Sequence, residues 1–321
     1  MEILVLGFSS VFMRRVLPAL NSCEKITRIN IASESKSNFF LKEKIGEKFG
    51  TCFDNYSSAI NSSCSELTYI SLPNHLHFVW AKKSLEHGMH VIVEKPATLN
   101  LKDSECLIDL SRKNKLCLAE STVWPFHPCV EFVKNHIATY KDESALINAC
   151  FTVPDFETNN YRNFHEYGGG AFNDLSAYAV SIGRVLFHEN PHSVSGKLIS
   201  FDKLKGVDTL FSVNMEFSKN RKLKGIFGFG LDYENSLKIS GNDFYYELNR
   251  VFSPPNDIEL SLKMRVDKQL SNQSLKGDAY ANFLNSVIKT FNTPRNFEWS
   301  EILYQDAKIT SKLKSSVMPK K

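Results

Sequence analysis

No apolar run among these 321 residues approaches the ~20 that a membrane-spanning helix needs. A membrane protein is therefore not expected. The cysteines number seven, an odd count, and none stand in C-x-x-C spacing. Neither a disulfide framework nor a zinc ribbon fits that usage. The Met-Glu-Ile-Leu-Val-Leu-Gly start lacks the basic n-region and small-residue cleavage site of a signal peptide. The expectation is a cytoplasmic protein with reduced thiols.

A strong charge of either sign is also lacking. Lys+Arg number 39 against 35 Asp+Glu, a net charge of +4, and the small excess is spread out. That offers no footprint for nucleic acid. The one basic cluster, Lys312, Lys314, Lys320 and Lys321, reads as a solvated tail. Repeats and low-complexity segments are missing, and hydrophobic residues make up 42%, ordinary soluble usage. At ~150 residues per domain the length suggests two. His75-x-His77 and His87-x-x-His90 stand without the Cys or carboxylate pattern of a metal site. Hydrogen-bonded or surface histidines are expected there, and no metal.

The first 121 residues alternate strand and helix. Apolar runs at Ile3–Leu6, Ile26–Ser33, Leu67–Leu72, Val91–Val93 and Leu116–Ala119 read as buried strands. Helical spacing covers 11–20, Phe39–Phe49, His75–Glu86 and Lys102–Asn114. Strands alternating with helices imply βαβ units and a doubly wound parallel sheet. From residue 122 the pattern changes. Helix is expected over 130–138, Ala279–Thr290 and Ser300–Ser315. Strands are expected over 144–153, 211–217, 223–229, 236–240, 244–252 and 258–265. The fold class is α/β. A Rossmann-type domain (1–121) precedes an α+β domain (122–321) with a large, mostly antiparallel open sheet for substrate binding and oligomerisation.

In a dinucleotide fold the first strand–helix turn binds pyrophosphate through G-x-G-x-x-G. This chain reads Gly7-Phe8-Ser9-Ser10-Val11-Phe12. Only the first glycine is present. Gly7 can make the tight turn, Ser9 carries a hydroxyl, and Phe12 replaces a small residue. Taken alone, the loop reads as an ordinary βα turn of an α/β protein. After the second strand, Ser33, Ser35 and Lys36 suit the 2′-phosphate of NADP, whereas Glu34 suits the 2′-hydroxyl of NAD. The balance tips to NADP(H), with NAD(H) the alternative.

Two signatures carry a family resemblance. Tyr69-Ile-Ser-Leu-Pro-Asn-His-Leu-His77, Ala81–Gly88 and His90-Val-Ile-Val-Glu-Lys-Pro96 form the first. Tyr161-Arg162 with Gly168-Gly-Gly-Ala-Phe-Asn-Asp-Leu-Ser-Ala-Tyr178 forms the second. Together with Glu120 and Trp124-Pro-Phe-His-Pro128, they resemble the glucose–fructose oxidoreductase/inositol dehydrogenase (Gfo/Idh/MocA) family over nearly the whole chain. Arg14-Arg15-Val-Leu-Pro-Ala-Leu20 and Arg250-Val-Phe-Ser-Pro-Pro255 resemble members that reduce keto groups on nucleotide-linked sugars.

The resemblance implies an NAD(P)-dependent oxidoreductase and a cis Lys95–Pro96 bond. The cofactor contacts would be Gly7, Phe8, Ser9, Ser10, Val11, Phe12, Ser33, Lys36, Leu72, Pro73, Asn74, His77, Glu94, Lys95, Pro96 and Glu120. Lys95, Asp174 and Tyr178 would be catalytic and would also touch substrate, with Trp124, Arg162 and His165 as further substrate contacts. Asp174 and Tyr178 are four apart and share a helical face. A free tyrosine has a pKa near ~10, and a neighbouring cation such as Lys95 would lower it. The substrate would be a nucleotide-linked keto-sugar. The alternatives are dehydrogenation of a free sugar or polyol such as inositol, or a non-catalytic cofactor-sensing regulator. A homodimer or homotetramer is implied, with no nucleic-acid or membrane partner.

Overall fold

The computed structural model describes residues 1–33, 38–140, 143–256 and 258–318. Met1–Ser121 and Tyr280–Tyr304 make one compact unit, and Thr122–Ala279 with Gln305–Lys321 a second.

The first unit starts with β1 (Glu2–Leu6), whose Ile3–Leu6 are fully buried. It continues through α1 (Leu17–Ser22), β2 (Arg28–Ala32), α2 (Asn38–Ile45), β3 (Phe49–Phe53), α3 (Tyr56–Ser62), β4 (Leu67–Ile70), α4 (Asn74–Glu86), β5 (His90–Val93), α5 (Leu101–Asn114) and β6 (Leu118–Glu120). The strands pair in parallel in the order β3-β2-β1-β4-β5-β6. Parallel sheets of this kind are covered on both faces, which is why β1, β4 and β5 read as continuous apolar runs. The chain order reverses between β1 and β4, the switch point at which such sheets bind ligands.

The helix expected over Phe39–Phe49 is shorter. Gly46, with φ +77°, ends α2 in a left-handed turn, and Phe49 already pairs with Ile29 as the first residue of β3. His90 is mostly buried. Its ring stacks on Phe291 at 4.0 Å and its Nδ1 accepts the Cys117 N–H. Burial pushes its pKa down to about 4.

The second unit holds α6 (Pro128–Ile137), β7 (Leu146–Val153), α7 (Ala171–Phe187), β8 (Ser193–Asp202), β9 (Val207–Phe217), β10 (Arg221–Phe229), β11 (Glu234–Ser240), β12 (Phe244–Asn249), β13 (Leu260–Val266) and β14 (Gln269–Leu275). After them α8 (Ala279–Ile288) and the start of α9 (Phe297–Val317) return to the first unit, up to Tyr304, so the second unit is not the unbroken stretch 122–321 that the sequence suggested. The eight strands run in the order β14-β13-β12-β11-β7-β10-β9-β8, antiparallel except for β7 beside β10. Alternation sorts the faces. Phe211, Val213, Met215, Leu223, Phe227, Ile147, Phe151, Leu237 and Ile239 are buried with the apolar side of α7, while Asn148, Asn214 and Lys224 are exposed. Each large side chain buried this way contributes about 1.5–3 kcal/mol. Among the described residues no helix is long and apolar enough to cross a membrane.

Candidate active site

In the first unit the carboxyl ends of five strands, β2, β1, β4, β5 and β6, form one row. Gly7 N–H donates to Ala32, Ser71 N–H to Leu6, Glu94 N–H to Ile70 and Ser121 N–H to Val93, all at 2.8–3.0 Å. Gly7 sits at φ +93°, and a Cβ there would lie 2.4 Å from the Ser71 carbonyl oxygen. Only glycine fits so close a backbone approach. The Ser9 hydroxyl accepts the Phe12 N–H and lies 2.7 Å from the Ser71 hydroxyl. It therefore ties the loop to the end of β4.

Phe12 is fully buried, edge-on to Phe8, which is itself edge-on to Phe40. The helix starts with a π turn over Phe12–Val16, in which Leu17 N–H reaches the Phe12 carbonyl. Pro18 follows and has no N–H with which to continue an ordinary α turn. The residues fit a dinucleotide: a glycine-only turn, a helix start and a sheet switch point coincide, and the ring at position 12 is turned into the core. Ser33 is buried at the end of β2, and Lys36 lies outside the described residues.

The next loops are pinned from beneath. His77 is buried, its Nε2 2.7 Å from the Leu72 carbonyl and its Nδ1 2.7 Å from the Pro96 carbonyl. Burial lowers its pKa, against the pull of the two carbonyls. Asn74 is buried at the start of α4. The Lys95–Pro96 bond is cis. Tyr69, fully buried, donates its hydroxyl to Glu94 at 2.6 Å and lies 3.2 Å from the Ser121 hydroxyl. Burial raises the Glu94 pKa, opposed by the Tyr69 hydrogen bond and the Lys95 charge. On the other side Glu120 accepts the Ala97 N–H at 2.8 Å. Half-buried Lys95 is thus carried on a turn fixed at both ends. Sequence reasoning assigned Tyr69 no role; a tyrosine inside an otherwise apolar strand run was the available signal.

The second unit assembles its polar groups around α7. Gly168, Gly169 and Gly170 donate their N–H groups to the carbonyls of His165, Phe164 and Arg162, each at 3.0 Å. A Cβ on Gly169 would lie 2.5 Å from the Arg162 carbonyl oxygen, so the glycines let the chain fold back flat on 162–165. Arg162 then donates Nε–H to Asp174 Oδ2 at 2.9 Å. Its guanidinium lies over the rings of Tyr161 at 4.6 Å and Phe156 at 4.9 Å. Burial disfavours its charge, but Asp174 and the Tyr161 and Tyr178 hydroxyls outweigh that and raise its pKa.

One turn beyond Asp174, Tyr178 packs edge-on against Phe151 at 5.2 Å and at a tilt against Phe252 at 5.7 Å. Phe252, from the Arg250–Pro255 stretch, is held by its N–H to the Asn235 side chain. Trp124, expected to touch substrate, is fully buried. Its indole N–H donates to Ser181 and its ring packs on Phe252. His165 is exposed. Asp208, which the sequence did not single out, accepts the Phe172 N–H at the start of α7.

Residues 1–122 match the family described as an oxidoreductase family with an NAD-binding Rossmann fold, and residues 144–245 match the GFO/IDH/MocA C-terminal domain. The chain belongs to the Gfo/Idh/MocA oxidoreductase family. A dTDP-3,4-didehydro-2,6-dideoxy-alpha-D-glucose 3-reductase of Streptomyces violaceoruber is 27% identical, over 78% of this chain and 73% of that protein. A D-xylose 1-dehydrogenase (NADP(+)) of Haloferax volcanii is 23% identical, over 91% and 90%. A solved structure of a 3-ketoreductase from Actinomadura kijaniata, in complex with NADP and TDP-benzene, has the same fold. Its TM-score is 0.90 at 23% identity, covering 99% of this chain and 98% of that one. As a member of the family, the protein is an NAD(P)-dependent oxidoreductase.

Proposed function

We propose that the protein reduces the carbonyl of a nucleotide-linked keto-sugar at the expense of NADPH. The observation that carries this reading is the placement of Tyr178 one turn beyond an Asp174 already clamped by Arg162, in a chain with relatives named as dTDP-keto-sugar 3-reductases. When bound, the nicotinamide supplies the hydride.

The remaining work falls to this chain. Gly7 to Phe12 would hold the pyrophosphate at a helix N-terminus, Ser33 and Lys36 the ribose phosphate, and Leu72, Pro73, Asn74, His77, Glu94–Pro96 and Glu120 the nicotinamide half. Tyr178 gives its hydroxyl proton to the carbonyl oxygen as the hydride arrives at carbon, so ketone becomes alcohol. Lys95 is the cation proposed to stabilise negative charge developing on a substrate oxygen. Asp174 accepts hydrogen bonds from sugar hydroxyls, and Arg162 and His165 border the same substrate.

The Haloferax relative supports a second reading, dehydrogenation of a free sugar. Titration with NADPH and NADH by nicotinamide fluorescence, followed by turnover of dTDP-keto-sugars and of free aldoses, separates the two. Tight NADPH binding with keto-sugar turnover is the expected result. Folded protein that binds neither cofactor would overturn the reading. The proposal extends to a cytoplasmic homodimer or homotetramer. Exposed Ile199 and Phe201 on β8 and Leu204 beyond it support burial against a second copy, which light scattering would detect.

A further inference from the structure

Helix α7 carries both Asp174 and Tyr178, yet its own N-cap residue is Gly170, which has no side chain to cap it. The first N–H groups of a helix need acceptors. The acceptor for Phe172 comes from another element. Asp208, the second residue of β9, accepts that N–H at 2.6 Å, and a carboxylate acceptor strengthens and shortens such a bond. Gly170 is shaped around this carboxylate. At φ +98° a Cβ there would sit 2.3 Å from Asp208 Oδ1, so a larger residue would expel it.

Asp208 is only 6% exposed, and a buried carboxylate requires compensation. Lys314 of α9 and His165 provide opposite or protonatable groups within its electrostatic reach, opposing the upward push of burial on its pKa. Burial in turn lowers the pKa of Lys314, against the attraction of Asp208. Two carboxylates therefore converge on the first turn of α7. Asp174 is held by Arg162, and Asp208 holds the helix itself.

We propose that Asp208 is a positioning residue: capping α7 from β9, it fixes where the helix begins and so where Asp174 and Tyr178 stand. Its bearing on turnover rests on the keto-sugar reading above; its bearing on geometry does not.

The test uses the full chain and the variants Asp208→Ala and Asp208→Asn. The Phe172 amide is read in 15N-phenylalanine-labelled protein. The Tyr178 ring is read in 13C-tyrosine-labelled protein, assigned by its loss in Tyr178→Phe. In Asp208→Ala both signals are expected to move, the Phe172 proton upfield as its short bond is lost. In Asp208→Asn, which keeps a carbonyl acceptor, the Tyr178 signal returns toward its original position. In turnover, kcat falls tenfold or more in Asp208→Ala and recovers at least half-way in Asp208→Asn, while the Kd for NADPH stays within twofold. A Tyr178 signal unmoved in Asp208→Ala overturns the proposal. So does an asparagine variant as displaced as alanine, or a kcat unchanged in both. Should Asp208→Ala fail to fold, the comparison of Asp208→Asn with Asp208→Leu decides by the same two signals. Absence of keto-sugar turnover in the unmodified protein counts against the functional reading alone, because the two NMR signals still decide whether Asp208 positions the helix.

Discussion

Arg162 donates Nε–H to Asp174 Oδ2 at 2.9 Å while its backbone carbonyl accepts the Gly170 N–H. One residue thus holds the first turn of α7 by side chain and main chain together. The Asp174 side chain is 6% exposed and that of Arg162 19%, so the substitution takes a cation away from a nearly buried carboxylate. Arg162→Ala is expected to destabilise by about 3 kcal/mol and to cut kcat at least a hundredfold. Arg162→Lys should recover little, since a lysine lacks the planar fork that stacks between Tyr161 and Phe156. Urea unfolding and steady-state kinetics on the pair check both points.

Tyr178→Phe removes one oxygen from the proposed proton donor and leaves the packing on Phe151 and Phe252 intact. The expected result is a kcat lower by about 10²–10⁴, NADPH affinity unchanged, and stability altered by no more than about 1.5 kcal/mol. Equal loss of cofactor binding would show that Tyr178 serves structure instead.

Tyr69→Phe deprives the buried Glu94 of its hydroxyl donor. Burial already raises the Glu94 pKa above 4.5, and the Tyr69 bond acts to lower it. A carboxyl whose folded pKa is raised binds its proton more tightly folded than unfolded. Its contribution to stability is therefore unfavourable above the folded pKa and vanishes below the unfolded one. The variant, lacking the hydroxyl, should lose stability as pH rises from the ordinary glutamate range toward neutrality, by about 1–3 kcal/mol at the upper end. Denaturant unfolding of both proteins across that range reads the slope. Parallel curves would refute the linkage.

Gly7→Ala places a Cβ 2.4 Å from the Ser71 carbonyl oxygen in a left-handed backbone. Strain of about 1–3 kcal/mol is expected, with NADPH binding weakened at least tenfold. Gly88→Ala, also at positive φ but with open space around its Cβ position, should leave cofactor binding unchanged in the same titration.

Much of the parallel unit was legible because strands buried on both faces show as apolar runs, as at Ile3–Leu6 and Leu67–Ile70. β8 and β14 were not legible. They are the edge strands of their sheet, largely exposed along their length, so neither an apolar run nor a clean alternation marks them. β3 was hidden because Phe49-Gly-Thr-Cys-Phe53 has no fully buried residue, four being half-buried and Thr51 exposed. The glycine run and the Asp174/Tyr178 spacing announced α7, since turn chemistry and helical period are local. Asp208 stands 36 residues from Phe172; only the register of β9 brings it to the helix, and nothing in its neighbourhood distinguishes it from a surface aspartate.

The π turn at Phe12–Val16 also changes how this chain lines up with others. Each of its hydrogen bonds spans five residues where an α turn spans four. The helix start has in effect absorbed a one-residue insertion without a loop to mark it. Counting at fixed spacing from Gly7 holds as far as Phe12, since Met13 N–H still reaches the Ser9 carbonyl in an ordinary α turn, and shifts by one residue beyond Val16. The glycine rule at that position is one of clearance, and here the ring that stands in its place is buried edge-on against Phe8, ahead of the point where the count shifts.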